Sequence, residues 1–233
     1  MEMQGRHDEG RRWLQERDTD WAENGLAEHL WWHLALFQLE TLDTASALAL
    51  FDAHIAGAAS VVNLQWLDAS ALLWRLQLLG VDTGTRWQAL AREWADPVAN
   101  AGHYAFNDMH ALLALLGSDD IPRAQALLAA SIAQATTDNS KMTREVGVPL
   151  MHGLLAYATG DGASACELLY PLRSVAHHFG GSHAQRDLID QTLLAASAAR
   201  GGSKDAGRAL LNERRLAKPN TPLTEHWASR LGA

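Results

Sequence analysis

The stretch that most constrains the fold is residues 29–57, HLWWHLALFQLETLDTASALALFDAHIAG. Leu30, Leu34 and Phe37, then Ala47, Leu48, Phe51 and Ile55, recur at the spacing that puts apolar side chains on one face of a helix. Thr41, Leu42 and Asp43 interrupt that spacing, so the stretch reads as two amphipathic helices joined by a short turn. Small Ala35 and Ala47 let the two helices approach closely. A single hairpin of this kind cannot bury both of its faces, so it requires stacked neighbours.

Further pairs follow along the chain. Residues 61–79 and 85–94 read as a second pair, stopped by Asp96 and Pro97. Residues 106–116 and 122–136 read as a third, with Pro122 in the first helical turn, where its missing N–H costs nothing. Residues 144–159 and 163–178 read as a fourth, with Gly153 at the small position that Ala35 fills in the first. Residues 184–200 and 204–217 read as a fifth, closed by Pro219. Ala47, Ala124, Ala165 and Gly207 fall in equivalent places at a period of about 40 residues, longer than the tetratricopeptide repeat. The first hairpin matches that repeat's pattern at Trp31, Leu34, Ala47 and Phe51, with Ala35 in place of its glycine. The expected fold is therefore all-α: an α-solenoid of about five TPR-like helix-turn-helix pairs in a single domain. Residues 1–24 form a polar leading segment, 25–217 the pairs and 218–233 a C-terminal tail. In the leading segment a helix is expected around Gly10 to Gln15, with a loop through Asp18 to Asp20.

Composition narrows the function. A formal charge of −8 and the lack of a Lys/Arg cluster argue against a nucleic-acid-binding face. No run approaches the length of a membrane span, and the opening residues have no apolar leader, which points to a cytoplasmic protein with no membrane partner. The single cysteine, Cys166, lies on the apolar side of an expected helix and reads as a buried structural thiol. There is no Gly-rich phosphate loop, dinucleotide fingerprint, CxxC pair or GxSxG elbow, which disfavours those enzyme classes. Arg214, Arg215 and Lys218 read as an exposed helix end whose charges suit the C-terminal dipole.

The segments HLWWHLALFQLE, ALALFDAHI, LDASALLWRL, FNDMHALLAL, GGSHAQRD and LLNERRLAKPNTPL resemble, in that order, the tetratricopeptide repeat protein 38 family. The resemblance implies an all-helical repeat fold and brings no established chemistry with it. Members are about twice this length, and the opening EMQGR is similar to material from the middle of such proteins. The chain thus resembles their C-terminal half, and a partner chain packing on an exposed terminal hairpin would give a homo-oligomer.

Eleven histidines supply the candidate chemistry. His29 and His33 are four apart, on one helical face, a spacing that admits a divalent metal; no other cofactor is expected. His33 and His110 hold the same place on first helices of different pairs, the helices that line the concave side of a solenoid, and His103 stands two turns before His110 with Asp108 between them. Asp68 and Arg75 lie on the intervening helix. A groove holding them would let a histidine move a proton near neutral pH while Asp orients it and Arg75 holds an anion. Ser182 and Gln185 form a capping-box signature, and the helix start behind it, with His183, Arg186 and Asp187, suits a carboxylate or phosphate. The candidate acid–base residues are thus His33, His103, His110 and His183, with Trp32, Asp68, Arg75, Asp108, Ser182, Arg186 and Asp187 holding the ligand. The expected partner is a small anionic molecule or a peptide bound in a His/Trp/Arg-lined concave groove. The alternative is an enzyme that uses histidine acid–base chemistry or a histidine-bound metal in the same groove.

Overall fold

A computed structural model describes residues 1–56, 63–94, 96–136, 140–219 and 221–233. Among these residues every regular element is helical. The first hairpin consists of α3 (Ala27–Glu40) and α4 (Thr44–Leu50). Leu42 adopts a positive φ at the turn, and the Asp43 side chain accepts from Ser46 N to start α4. It is preceded by α1 (His7–Gln15) and the single turn α2 (Asp18–Trp21), so the expected loop at Asp18 to Asp20 is wound instead.

The later pairs fall close to their expected positions. They are α5 (Asn63–Leu78) with α6 (Arg86–Glu93), and α7 (Ala105–Gly117) with α8 (Ile121–Gln134). Next come α9 (Val148–Ala158) with α10 (Gly162–Leu172), and α11 (His183–Ala198) with α12 (Lys204–Ala217). Val61 and Val62, counted in the second pair, lie outside the described residues. Two turns are wound as π-helix, Phe51–Ile55 directly after α4 and Thr143–Gly147 directly before α9. The expected helix through His178 stops at Leu172, because Pro171 removes a backbone donor and crowds the preceding turn. A short 3₁₀ turn, Ala176–Phe179, follows.

Residues 218–233 do not trail away as a tail. Pro222–Leu231 forms α13, capped by the Thr221 side chain accepting from Thr224 N, and it buries Trp227 completely. The apolar positions Leu223, Trp227, Ala228 and Leu231 repeat at helical spacing behind a proline in the first turn, a pattern that Pro219 and the earlier repeat register concealed.

The first helices of consecutive pairs lie side by side, α3 on α5, α5 on α7 and α7 on α9. The array then turns back on itself. Helix α11 packs on α5 as well as on α9 and α10, and α13 packs on α11, α12 and α3. Polar side chains fasten this closure: Trp74 Nε1 donates to Thr192 Oγ1 at 2.8 Å, and Trp227 Nε1 donates to Gln191 Oε1 at 2.7 Å. The inner helices α7 and α11 are buried on nearly every face, whereas α6 and α12 bury one stripe each. The face expected to stay open as a groove is thus largely filled by helix against helix.

Nor is the first hairpin bare. Leu14 and Trp21 from the leading segment cover Ala27, Leu34 and Phe37 of α3 in a small satellite core. Gly10 permits this contact, since a Cβ there would stand 2.2 Å from the Phe37 ring. Gly10→Ala is expected to destabilise the fold by about 1–3 kcal/mol, the usual cost of overpacking, despite alanine's better helix propensity. Urea denaturation of the variant beside the parent protein checks this. No helix among the described residues is long and apolar enough to cross a membrane.

Candidate functional site

Helix α3 presents its two spaced histidines to α5 and to the opening segment of the chain. His29 Nδ1 lies 2.8 Å from Asp68 Oδ2, and His33 Nδ1 lies 3.1 Å from Glu2 Oε2. The two rings stand 4.7 Å apart at a steep angle, and Trp32 stacks on His29 nearly parallel at 5.2 Å. Both imidazoles keep about a quarter of their surface in solvent, while Asp68 and Glu2 are buried. Asp68 Oδ1 and Trp32 Nε1 are buried with no hydrogen-bond partner among the described residues.

Electrostatics follow from this geometry. Burial disfavours the His29 imidazolium, but the hydrogen bond and charge of Asp68, with Glu2 adding to them, outweigh it and hold its pKa above the ordinary value. Burial drives the Asp68 carboxyl upward, against the pull of His29, His33 and Arg75. A carboxylate bonded to Nδ1 fixes each ring's orientation and leaves Nε2 for other work. His29 and His33 could hold a metal only through those second nitrogens, and no group of three metal-ligating side chains occurs among the described residues.

The other expected residues are distributed as follows. Arg75 is buried and spends its donors on backbone oxygens, Nη1 on Ala71 O at 3.0 Å and Nη2 on Ala184 O at 2.8 Å, so it ties α5 to α11 rather than holding an open anion position. His110 is buried with Nδ1 at 2.7 Å from Phe106 O. Burial, with Arg75's charge adding to it, lowers its pKa to about 4, so a neutral, enclosed imidazole replaces the expected groove-facing one. His103 and His183 are exposed. Trp32 is fully buried; it stacks on His29, meets His33 edge-on at 5.0 Å and lies under the Arg75 guanidinium at 5.7 Å.

At the start of α11 the capping box is complete, with Ser182 Oγ accepting from Gln185 N and Gln185 Oε1 accepting from Ser182 N. Arg186 turns back to donate to the carbonyl oxygens of Gly180 and Gly181, satisfying the loop that an anion was expected to occupy. Asp187 is drawn into a buried charge network. Arg214 donates to Glu40 at 2.7 Å and to Asp187 at 3.3 Å, Lys218 donates to Glu40 at 2.7 Å, and Gln191 donates to Asp187 at 3.1 Å. Arg214 and Lys218 are therefore not an exposed helix end. They turn inward because α13 and the leading segment, with Gly5 packed on the Lys218 backbone, close over them. Burial alone would raise the Glu40 and Asp187 carboxyls, but the neighbouring cations hold both below the usual range. Between this network and Arg75 remains a void of about 20 Å³ lined by Glu2, Glu40, Arg75 and Asp187, room for roughly one water.

The chain matches no protein-family model, and no solved structure matches it. The site must be read from its own geometry.

Sequence reasoning found His29, His33, Asp68 and Arg75 but missed Glu2, Glu40, Arg214 and Lys218 as their inner companions. Glu40 carried a usable signal, since a carboxylate that ends the run Leu34 to Leu39, apolar but for Gln38, opposes the helix dipole and needs a buried cation to stay there.

Proposed function

We propose that this chain is a TPR-like helical repeat protein, a curled α-solenoid of about five pairs, whose inner face, at the part of α3 where His29 and His33 stay partly exposed, binds a small anionic molecule or the acidic side chain of a peptide. The observation that carries this reading is the seating of the Glu2 carboxylate. Glu2 lies on a short 3₁₀ turn, Glu2–Gln4, between the exposed Met1 and Met3, yet its side chain is buried against His33 and acts electrostatically on His29 and Arg75. A carboxylate thus already occupies the position that a carboxylate ligand would take. Being tethered, it competes at an effective concentration of about millimolar order.

The test measures succinate and an Asp/Glu-rich heptapeptide by calorimetry. Glu2→Gln is expected to raise affinity about tenfold or more by removing the tethered competitor, and His33→Ala in that background is expected to abolish the gain. Affinities indifferent to both substitutions would remove the inner face from consideration.

A second reading, acid–base chemistry, rests on the His29 and Asp68 pair: a partly exposed imidazole oriented by a buried carboxylate is suited to taking a proton through Nε2. It predicts that the His29 ring, followed by NMR, titrates above an ordinary histidine and that Asp68→Asn brings it down. A ring that titrates normally in the parent protein would count against it. Metal analysis addresses the divalent-metal variant of this reading: stoichiometric metal lost in both His29→Ala and His33→Ala would support it.

A further inference from the structure

Two cavities outside the histidine site carry the opposite charge preference to the anion expected there. A cavity of about 290 Å³ sits at the C-terminal end of α6, between α6, α5 and α7. Its walls include the indoles of Trp66 and Trp94, which touch at a tilt with ring centroids 5.6 Å apart; Trp94 is buried and Trp66 keeps a partly exposed face. Its rim carries Glu93 and Asp96, both exposed.

Asp108 lines the same space and is 5% exposed. Its Oδ2 accepts from Gly102 N at 2.8 Å and from Ser131 Oγ at 3.0 Å, and no hydrogen bond among the described residues reaches Oδ1. A second cavity, about 400 Å³, shares Trp66 and Glu93 and extends beneath the π-helical turn through Phe51 and Ile55. Its cation, Arg86, is held by both oxygens of Asp52, at 2.7 and 2.6 Å, and so does not neutralise the rim.

Indole faces attract cations, carboxylates at the rim and floor do the same, and the last turn of a helix adds its negative dipole end. A ligand anion would meet like charge on three sides. We propose that this cavity binds a small primary alkylammonium, its N–H groups donating to Asp108 Oδ1 and its alkyl part lying along the partly exposed Trp66 indole. The apolar extension toward Phe51 and Ile55 accommodates a longer chain, which places the preference at alkylamines rather than bare ammonium. This site is independent of the inner-face reading; of the residues expected from the sequence to hold a ligand in the groove it takes only Asp108.

The experiment is titration of the full chain with n-butylammonium at pH 8, where the amine is protonated. Binding is read by calorimetry and by tryptophan fluorescence, with butan-1-ol as the uncharged isostere. Saturable binding of the amine, about tenfold tighter than the alcohol, is expected, together with a loss of about tenfold or more in Trp66→Leu and in Glu93→Gln/Asp96→Asn. Asp108→Asn, which keeps the acceptor for Gly102 and Ser131 and turns an NH₂ toward the ligand, is expected to lose binding while retaining its melting transition. Equal affinity for amine and alcohol, no saturation by the amine at concentrations of order 10 mM, or unchanged affinity in the folded variants would each overturn the proposal.

Discussion

Glu40→Gln is expected to cost the fold about 3–5 kcal/mol, the penalty for removing one partner from a buried ion pair. Glu40 is the only carboxylate within 3 Å of both the Arg214 guanidinium and the Lys218 ammonium, among the described residues. Asp187 stands farther off, at 3.3 Å from Arg214 and 4.0 Å from Lys218, so it cannot take over both partners. Lys218 would be left as a fully desolvated cation facing a neutral amide. The loss should appear as a lower urea midpoint with an unchanged slope. The double variant Glu40→Leu/Lys218→Met separates two accounts of the pair. If the penalty comes from the uncompensated charge, the double variant recovers a large share of it, because apolar groups of similar volume replace buried ions at little cost. A double variant as unstable as the sum of the single ones would mean that the two side chains contribute independently.

The same network shows where the sequence was legible and where it was not. The helical pairs were readable because amphipathic spacing and turn residues such as Asp43, Asp120, Asp161 and Ser182 act locally, and each of these four caps the helix that follows it. The His29 and His33 pair was readable because both residues sit on one helix. The closure of the array was not readable, since it depends on contacts between α5 and α11, and between α3 and α13, that no local pattern encodes. That closure turned Arg75, expected in the groove, into a tie to Ala184, and it set Trp74 on Thr192 and Arg214, expected at an exposed helix end, on Glu40. The Trp66 cavity was missed for a related reason. Trp32 and Trp74 are packed in the core, whereas Trp66 is only partly buried and borders open space, a difference that helical spacing does not encode.

His110 supplies the second large effect, on the acid side of neutrality. In the folded chain its pKa falls from 6.5 to about 4, because burial excludes the imidazolium and Arg75's charge repels it. Between those values the unfolded chain binds a proton that the folded chain does not, so stability rises with pH through this window and is lost as pH falls through it. The depression corresponds to about 3 kcal/mol, withdrawn between roughly pH 6.5 and 4. Glu40 and Asp187, with folded pKa values below their ordinary ones, act in a lower window: their stabilisation is present above the unfolded carboxylate range and is lost only as pH drops through the folded values. His29 has the opposite sign, since its raised pKa gives stability that is complete below the ordinary histidine value and fades as pH rises through the folded one. Urea midpoints of the parent protein and of His110→Leu, measured from pH 7.5 to 4, isolate the buried ring, because the other groups titrate alike in both chains. The gap between the two stability curves should narrow by about 3 kcal/mol on the way down, with the leucine variant gaining relative to the parent. Parallel curves would show that His110 takes up its proton alike in the folded and unfolded chains, and the enclosed, neutral imidazole beside Phe106 would have to be abandoned.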